Sequence, residues 1–338
     1  MDIAIDLGST RTRVFIPDKG KIIDEATVAA IDLEKEEIIA VGDKAYKMLG
    51  KTPSKIEAMY LLENGVIAES RMVEDMLKIA LQNTSTGKIV KPRAVVAVPG
   101  GITEVEKHAV INVVSNIGVR QIYLIKASKA AILGCGIDVM SPRGKLIADF
   151  GGGCAEASVV SLGGASVSKR TNKAGRKMDE EIMKFARKKY SLIIGENMAE
   201  SCKKEIGSLV PLPEEKTFRL KGRDAVGGLP KFVDVTSEEI REVLTDIAEG
   251  MVNIIKNALE ETPPELMADI YTDGIIFTGG LANIYGFSRL IAKSTNIKVR
   301  VAENPQDCVI KGCAKAVGYI NSMEKSSGRE TSPLVKVY

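Results

Sequence analysis

Three short glycine turns carry the residue types able to do chemistry in this chain. They are Asp6-Leu7-Gly8-Ser9-Thr10, Asp149-Phe150-Gly151-Gly152-Gly153 and Thr278-Gly279-Gly280. Glycine lets backbone N–H groups approach an anion closely, and such concave turns cradle phosphate oxygens. The aspartates that open the first two turns, Asp6 and Asp149, are suited to hold a divalent cation directly or through water. Any one of these turns alone is what a hairpin requires. Three together, two of them sharing Asp-x-Gly, point to a nucleotide in a cleft. The chain has no Gly-x-x-x-x-Gly-Lys-Ser/Thr run and no Gly-x-Gly-x-x-Gly after its first strand, which sets aside P-loop and dinucleotide folds.

The elements that position these turns repeat. Ile3, Ile5 and Leu7 alternate into the first turn, and Val14-Phe15-Ile16 follow it as a second strand. The same strand–turn–strand returns at 146–162, and placing Asp6 over Asp149 also places Gly8 over Gly151. Such a correspondence predicts a duplicated α/β fold rather than an array of short repeats. Between the units, Ala94–Val98 reads as a buried strand entering Pro99-Gly100-Gly101. Thr103 and Glu106 form a capping box for a helix to about Ile117, and a strand at 122–125 precedes a helix at 129–133. Helices are expected at 178–190, 198–207 and 237–261, a small sheet at 216–235, and a strand at 275–278. The polar stretch from Ser322 is expected to fray.

Composition narrows the function classes. At 338 residues the chain fits about two domains and needs no covalent staple. Lys and Arg total 47 against 44 Asp and Glu, too even for electrostatic nucleic-acid binding, and aromatics are 4% with no Trp. The five cysteines are odd in number and lack any CxxC pair, which reads as reduced cytosolic thiols. The single histidine, His108, lies in a charged helical run and leaves no basis for a Ser-His-Asp or Cys-His enzyme. The apolar start is interrupted by Asp2 and Asp6, unlike a signal peptide, and no run approaches a membrane span. A cytoplasmic protein is expected.

Several segments resemble the MreB/Mbl family of bacterial actins, within the actin, Hsp70 and sugar-kinase superfamily. Ala4–Ser9 resembles the first phosphate motif, Ala148–Gly153 the second and Phe277–Gly280 the adenosine motif. Family-specific likeness lies in Val98–Glu106, Ala174–Asp179, Glu261–Leu266 and Ala302–Val309, and the resemblance runs from Asp2 to about Ile320. It implies an α/β actin-like ATPase fold of two duplicated ribonuclease H-like halves with inserted small subdomains. Domain I would span 1–143 plus 309–325, with a small subdomain at about 31–70. Domain II would span 144–308, with a small subdomain at about 179–239, leaving a flexible tail at 326–338.

The same resemblance implies ATP and Mg²⁺ in the central cleft. It also implies self-association into filaments at the inner face of the plasma membrane that organise cell shape with the wall-elongation machinery. Ser9, Thr10 and Arg11 fall on the phosphate-contacting turn, Gly151, Gly152 and Gly153 on the second, and Asp6 and Asp149 at the metal. Glu200 and Lys203 fall where one helix face meets the ribose, and Gly279, Gly280, Leu281 and Ala282 at the adenosine end.

Four departures from the family pattern bear on activity. Arg11 replaces Asn, adding either charge or obstruction beside the phosphates. Cys154 and Ala155 replace two threonines, and Leu281 replaces a third glycine, adding bulk where backbone approaches ligand. The family's Glu-Glu-Pro reads Lys126-Ala127-Ser128 here, and its second glutamate, the water-orienting group, is Ala127. Such groups contribute roughly 10²–10⁴-fold, so hydrolysis is expected to be slow or absent. Persistent polymers or copolymers with an active paralogue would follow. The alternatives are an active ATPase that positions water with Glu156, or a nucleotide-gated binding module of the chaperone kind. The loop Thr86–Lys91 sets Ile89 and Val90 between lysines where the family inserts a loop in membrane. Two buried aliphatic side chains contribute only about 3–6 kcal/mol, so binding would need many copies along a filament.

Overall fold

A computed structural model describes residues 2–17, 20–82, 92–325 and 334–337. The membrane-loop expectation at Thr86–Lys91 lies outside them. The chain opens with β1 (Asp2–Leu7), β2 (Arg11–Ile16) and β3 (Lys21–Ala26) as an antiparallel meander. A small sheet follows, built from β4 (Val28–Asp32), β5 (Glu37–Val41) and β6 (Ile56–Tyr60), with α1 (Asp43–Tyr46) at its edge. A hairpin of β7 (Leu62–Glu63) and β8 (Val66–Ile67) leads to α2 (Ser70–Gln82). The chain then re-enters the main sheet as β9 (Arg93–Val98), α3 (Glu104–Asn116), β10 (Gln121–Lys126) and α4 (Ala127–Gly134). Thr103 and Glu106 close the expected capping box on α3.

The second half repeats the plan. β11 (Lys145–Phe150), β12 (Ala155–Ser161) and β13 (Gly164–Thr171) form the meander, followed by α5 (Gly175–Tyr190). The inserted sheet is β14 (Leu192–Ile193), β15 (Thr217–Asp224) and β16 (Pro230–Thr236), with α6 (Glu196–Ile206) between its first two strands. Then come α7 (Ser237–Glu260), α8 (Pro264–Asp273), β17 (Ile275–Thr278), α9 (Phe287–Thr295), β18 (Val299–Val301) and α10 (Cys308–Lys325). The main sheets order as β10-β9-β1-β2-β3 and β18-β17-β11-β12-β13, strand for strand the same. Asp6 and Asp149 end equivalent strands, so the duplication read from Asp-x-Gly is a duplication of topology.

Each lobe buries its own core, Ile3, Ile5, Val96 and Ile122 in the first and Leu146, Ile182, Leu244 and Phe277 in the second. A third core lies between α4, α10 and both main sheets. The helices there meet backbone to backbone. A side chain at Gly134 would collide with the Cys308 carbonyl, and one at Gly312 with that of Ala130.

Of the flexible tail expected at 326–338, only residues 334–337 lie among the described residues, and these dock on the first sheet. Helix α10 continues to Lys325, and β19 (Val335–Lys336) pairs antiparallel with β10 at the edge of the first sheet. Leu334 is buried behind it. The polar run at 324–330 hides this in the sequence, because the docking segment is only four residues and the edge strand β10 supplies its hydrogen bonds.

Candidate functional site

The three glycine turns converge where the two lobes meet. Phe150, Phe277 and Phe287 pack with ring centroids 5.2–5.6 Å apart, directly beneath two of these turns. Phe150 follows Asp149 and Phe277 precedes Thr278, so this edge-to-face cluster fixes where the second and third turns emerge. The helix α5 begins on the second turn, with Gly175 N donating to Gly151 O at 3.2 Å and Arg176 N to Gly152 O at 2.7 Å. The first and second turns lie face to face. A methyl group at Gly152 would run into the Thr10 side chain, and one at Gly153 into Ser9. At the third turn Gly279 adopts φ +84° and lies against the Phe150 backbone, a place that only glycine fills without strain.

The two aspartates behave as a buried acidic pair. Burial pushes Asp6 up to about 6, with Arg13 pulling the other way. Asp149 rises to about 7 through burial and then the charges of Asp6 and Glu156. Thr278 Oγ1 donates to Asp149 Oδ1 at 3.2 Å, tying the second turn to the third. Arg13, directly opposite Asp6 on β2, lies 4.0 Å from it and 3.5 and 3.6 Å from Asp24 and Asp307. An acidic pair that burial and mutual repulsion hold towards protonation fits a hard divalent cation bound partly through water.

On the opposite wall, α5 and α6 contribute a polar cluster. Lys203 is buried and donates to Asp179 Oδ2 and Gly175 O, both at 2.7 Å. Burial raises Asp179 to about 6, only partly offset by Lys203. Glu200 accepts from Tyr46 of α1 and pairs with Lys204, so it ties α6 to the opposite small sheet. Asn197 Nδ2 donates to Tyr46 O at 3.2 Å, and the Arg176 guanidinium stacks 4.0 Å over Tyr60. Asp179 Oδ1 and Asn197 Oδ1 are buried acceptors with no partner among the described residues. Buried acceptors of this kind ordinarily find a hydrogen-bond donor.

Several expectations change once side chains are placed. Thr10 and Ser9 lie against Gly152 and Gly153, Gly175 lies between Gly151, Gly152 and Leu281, and Gly280 and Ala282 continue the third turn as a short 3-10 helix. Arg11 does not join them through its guanidinium, which is held by Asp24 Oδ1 (2.6 Å), Asp24 O (2.9 Å) and Asp43 Oδ1 (3.1 Å). The neighbouring strand β3 and helix α1 offer carboxylates, and a guanidinium fork prefers them. Leu281 is buried in the second core, with Cδ2 beside Gly175 at the start of α5, next to the second glycine turn.

Ala127 is the first residue of α4, and no acidic side chain stands in that helix's first turn. Glu156 is buried and engaged: Gly100 N donates to it at 2.8 Å and the Ser158 and Ser168 hydroxyls at 2.7 and 3.2 Å. Cys154 is pushed up to about 11 chiefly by burial, so its thiol stays protonated. The sequence alone assigned no role to Asp179, Tyr46, Tyr60, Arg13 or Thr278. Thr278 stood within a glycine turn and Asp179 ended a segment of family likeness. Tyr46, Tyr60 and Arg13 come from segments with no local chemical signature.

Two duplicated lobes with glycine turns meeting over paired aspartates define an actin-like ATPase fold, a class confirmed by similarity to solved structures. The chain belongs to the MreB/Mbl family, whose model, described as MreB/Mbl protein, matches residues 1–325. It is 36% identical over 325 residues to the cell shape-determining protein Mbl of Bacillus subtilis (strain 168), covering 96% of this chain and 98% of that one. To the cell shape-determining protein MreB of Escherichia coli (strain K12) it is 36% identical over 326 residues, with 95% and 94% covered. Its fold matches MreB5 of Spiroplasma citri bound to ADP with a TM-score of 0.91, at 33% identity over 96% of this chain and 98% of that one. The double helical filament of MamK matches at a TM-score of 0.79 with 20% identity, over 94% and 99%, a likeness of fold alone.

Proposed function

We propose that this protein is an ATP-binding bacterial actin that assembles into filaments determining cell shape, and that it hydrolyses its nucleotide weakly or not at all. The observation that carries the reading is the face-to-face packing of Ser9 and Thr10 on Gly152 and Gly153 above Asp6 and Asp149. Backbone N–H groups of both turns would clasp the phosphates, and Asp6 and Asp149 would hold Mg²⁺, which neutralises phosphate charge. Gly279 to Ala282 would border the adenosine, and Asp179, Lys203 and Glu200 the ribose. That last role requires Glu200 to exchange Tyr46 for the nucleotide. A relative solved with AMPPNP, MreB5 of Spiroplasma citri, supports a triphosphate-shaped ligand for this cleft.

Slow turnover rests on Ala127, which offers no group to orient water. The competing reading, water positioned by Glu156, is disfavoured because that carboxylate already accepts three hydrogen bonds, one from Gly100 N across the lobes and two from Ser158 and Ser168 within its own. Filaments would lie at the membrane through the segment about Ile89 and Val90 and associate with an active paralogue or the wall-elongation machinery. Among the described residues no helix is long and apolar enough to cross a membrane.

The test measures phosphate release and sedimentable polymer together, with Mg²⁺ and ATP, for the unaltered chain and Ala127→Glu. Polymer with little release, and release raised 10²-fold or more in the variant, is the expected result. Brisk release from the unaltered chain would overturn the assignment of Ala127. Co-sedimentation of polymer with anionic lipid vesicles, lost in an Ile89→Ser/Val90→Ser variant, tests the membrane role.

A further inference from the structure

Two of the five cysteines stand in a relation the nucleotide site does not use. Cys135 Sγ lies 3.8 Å from Cys308 Sγ, although 173 residues separate them in the chain. Cys135 caps the end of α4 and Cys308 begins α10. These are the two places where the backbone crosses between lobes, from α4 into β11 and from β18 into α10. The helices touch there through Gly134, whose added Cβ would stand only 3.0 Å from Cys308 Cα.

The thiols are unequal. Cys135 is half-buried, and the hydrogen bond with Cys308 holds it below its ordinary value against the effect of burial, with help from Arg300 and Lys315. Cys308 is 1% exposed, and its thiol is raised by that same hydrogen bond and by burial. Cys154 and Cys202 are pushed up to about 11 and about 12 by burial, and Cys313 well above its ordinary value. A half-buried thiol held below its ordinary value, 3.8 Å from a shielded one, is the arrangement of an attacking and a resolving cysteine.

We infer that Cys135 and Cys308 form a reversible disulfide that staples the two crossings between the lobes when the protein meets a peroxide. The Cys135 thiolate attacks one oxygen of hydrogen peroxide, breaking the O–O bond and giving a sulfenic acid and hydroxide. The Cys308 sulfur then displaces the sulfenic oxygen, which leaves as water with the Cys308 proton. Two thiols and one peroxide thus become one disulfide and two waters. The sulfurs must close from 3.8 Å to the ~2.05 Å of an S–S bond, with α4 already against α10 at the neighbouring Gly134.

The bond would restrain more than two residues. Asp307 beside Cys308 pairs with Arg13, and Pro305 O accepts from Gly279 N at 3.0 Å. Stapling Cys308 therefore restrains the support of the third glycine turn and both crossings at once. The inference does not depend on the nucleotide reading.

The test exposes the reduced, full chain to hydrogen peroxide, removes the oxidant with catalase, alkylates in denaturant and maps peptides by mass spectrometry. Two of five thiols should escape alkylation, in one linked peptide pair joining Cys135 to Cys308, reversed by dithiothreitol. The oxidised protein should melt on the order of 5 °C higher than the reduced one, and Cys308→Ser should abolish both changes. Mapping needs only the unaltered chain, so a poorly folding variant leaves the result readable. Five alkylated thiols, Cys135 driven to sulfinic acid without a linked peptide, or a bond between two chains would each overturn the inference.

Discussion

Replacing Gly152 by alanine should cripple nucleotide binding while leaving the lobes folded. The added Cβ would stand 2.9 Å from Thr10 Oγ1 and 3.2 Å from Thr10 Cβ, and would overlap the Thr10 methyl outright. Carbon contacts relax near 3.5–4.0 Å, so the first and second turns must part by roughly 1 Å or more. Overpacking of this kind costs about 1–3 kcal/mol, here borne where the lobes close rather than inside one core. A ligand clasped by both turns loses its alignment, and affinity for a fluorescent ATP analogue with Mg²⁺, read by anisotropy, should fall 10–100-fold. Gly151→Ala is the control, because its Cβ would meet only Cys154 O, at 3.3 Å. Thr10→Ser in the Gly152→Ala background deletes the colliding methyl and should recover most of the loss as a coupled pair. Unchanged binding in Gly152→Ala, or equal losses in the two glycine variants, would refute a ligand held between these turns.

Three further outcomes follow from the buried charges. Lys203→Met leaves Asp179 without its cation and should destabilise the chain by about 3 kcal/mol in chemical denaturation, with Asp179→Asn in the same background recovering part of it. Asp6 at about 6 and Asp149 at about 7 both lie above 3.8, so the folded state binds these protons more tightly than the unfolded one. Their contribution is fully present below about pH 4 and is lost as pH rises through 6 to 7, roughly 3 kcal/mol for Asp6. Without divalent cation the melting temperature should therefore fall between pH 5 and 7.5, and Asp6→Asn should flatten that slope; a slope unchanged in the variant would contradict it. Mg²⁺ with ATP should raise the melting temperature more at pH 7.5 than at pH 5, where protons already neutralise the pair.

The duplicated plan was legible because it is written locally. Alternating apolar residues before Asp6 and Asp149 specify strands, Asp-x-Gly specifies the turns, and Thr103 with Glu106 specifies the start of α3. Ala127 was equally plain, since an absent carboxylate is absent in any conformation. Residue type and short-range period determine these features without reference to the rest of the chain.

Other features were decided only by tertiary structure. Arg11 follows the first phosphate turn in sequence, yet Asp24 and Asp43 capture its guanidinium because β3 and α1 bring two carboxylates alongside. Lys203 meets Asp179, Glu200 meets Tyr46, and Cys135 meets Cys308, across 24, 154 and 173 residues. No local pattern encodes those meetings. They are set by the packing of α5 on α6, by the closure of one lobe on the other and by the crossing of α4 and α10, where packing chooses among the many charges and thiols that the sequence makes available.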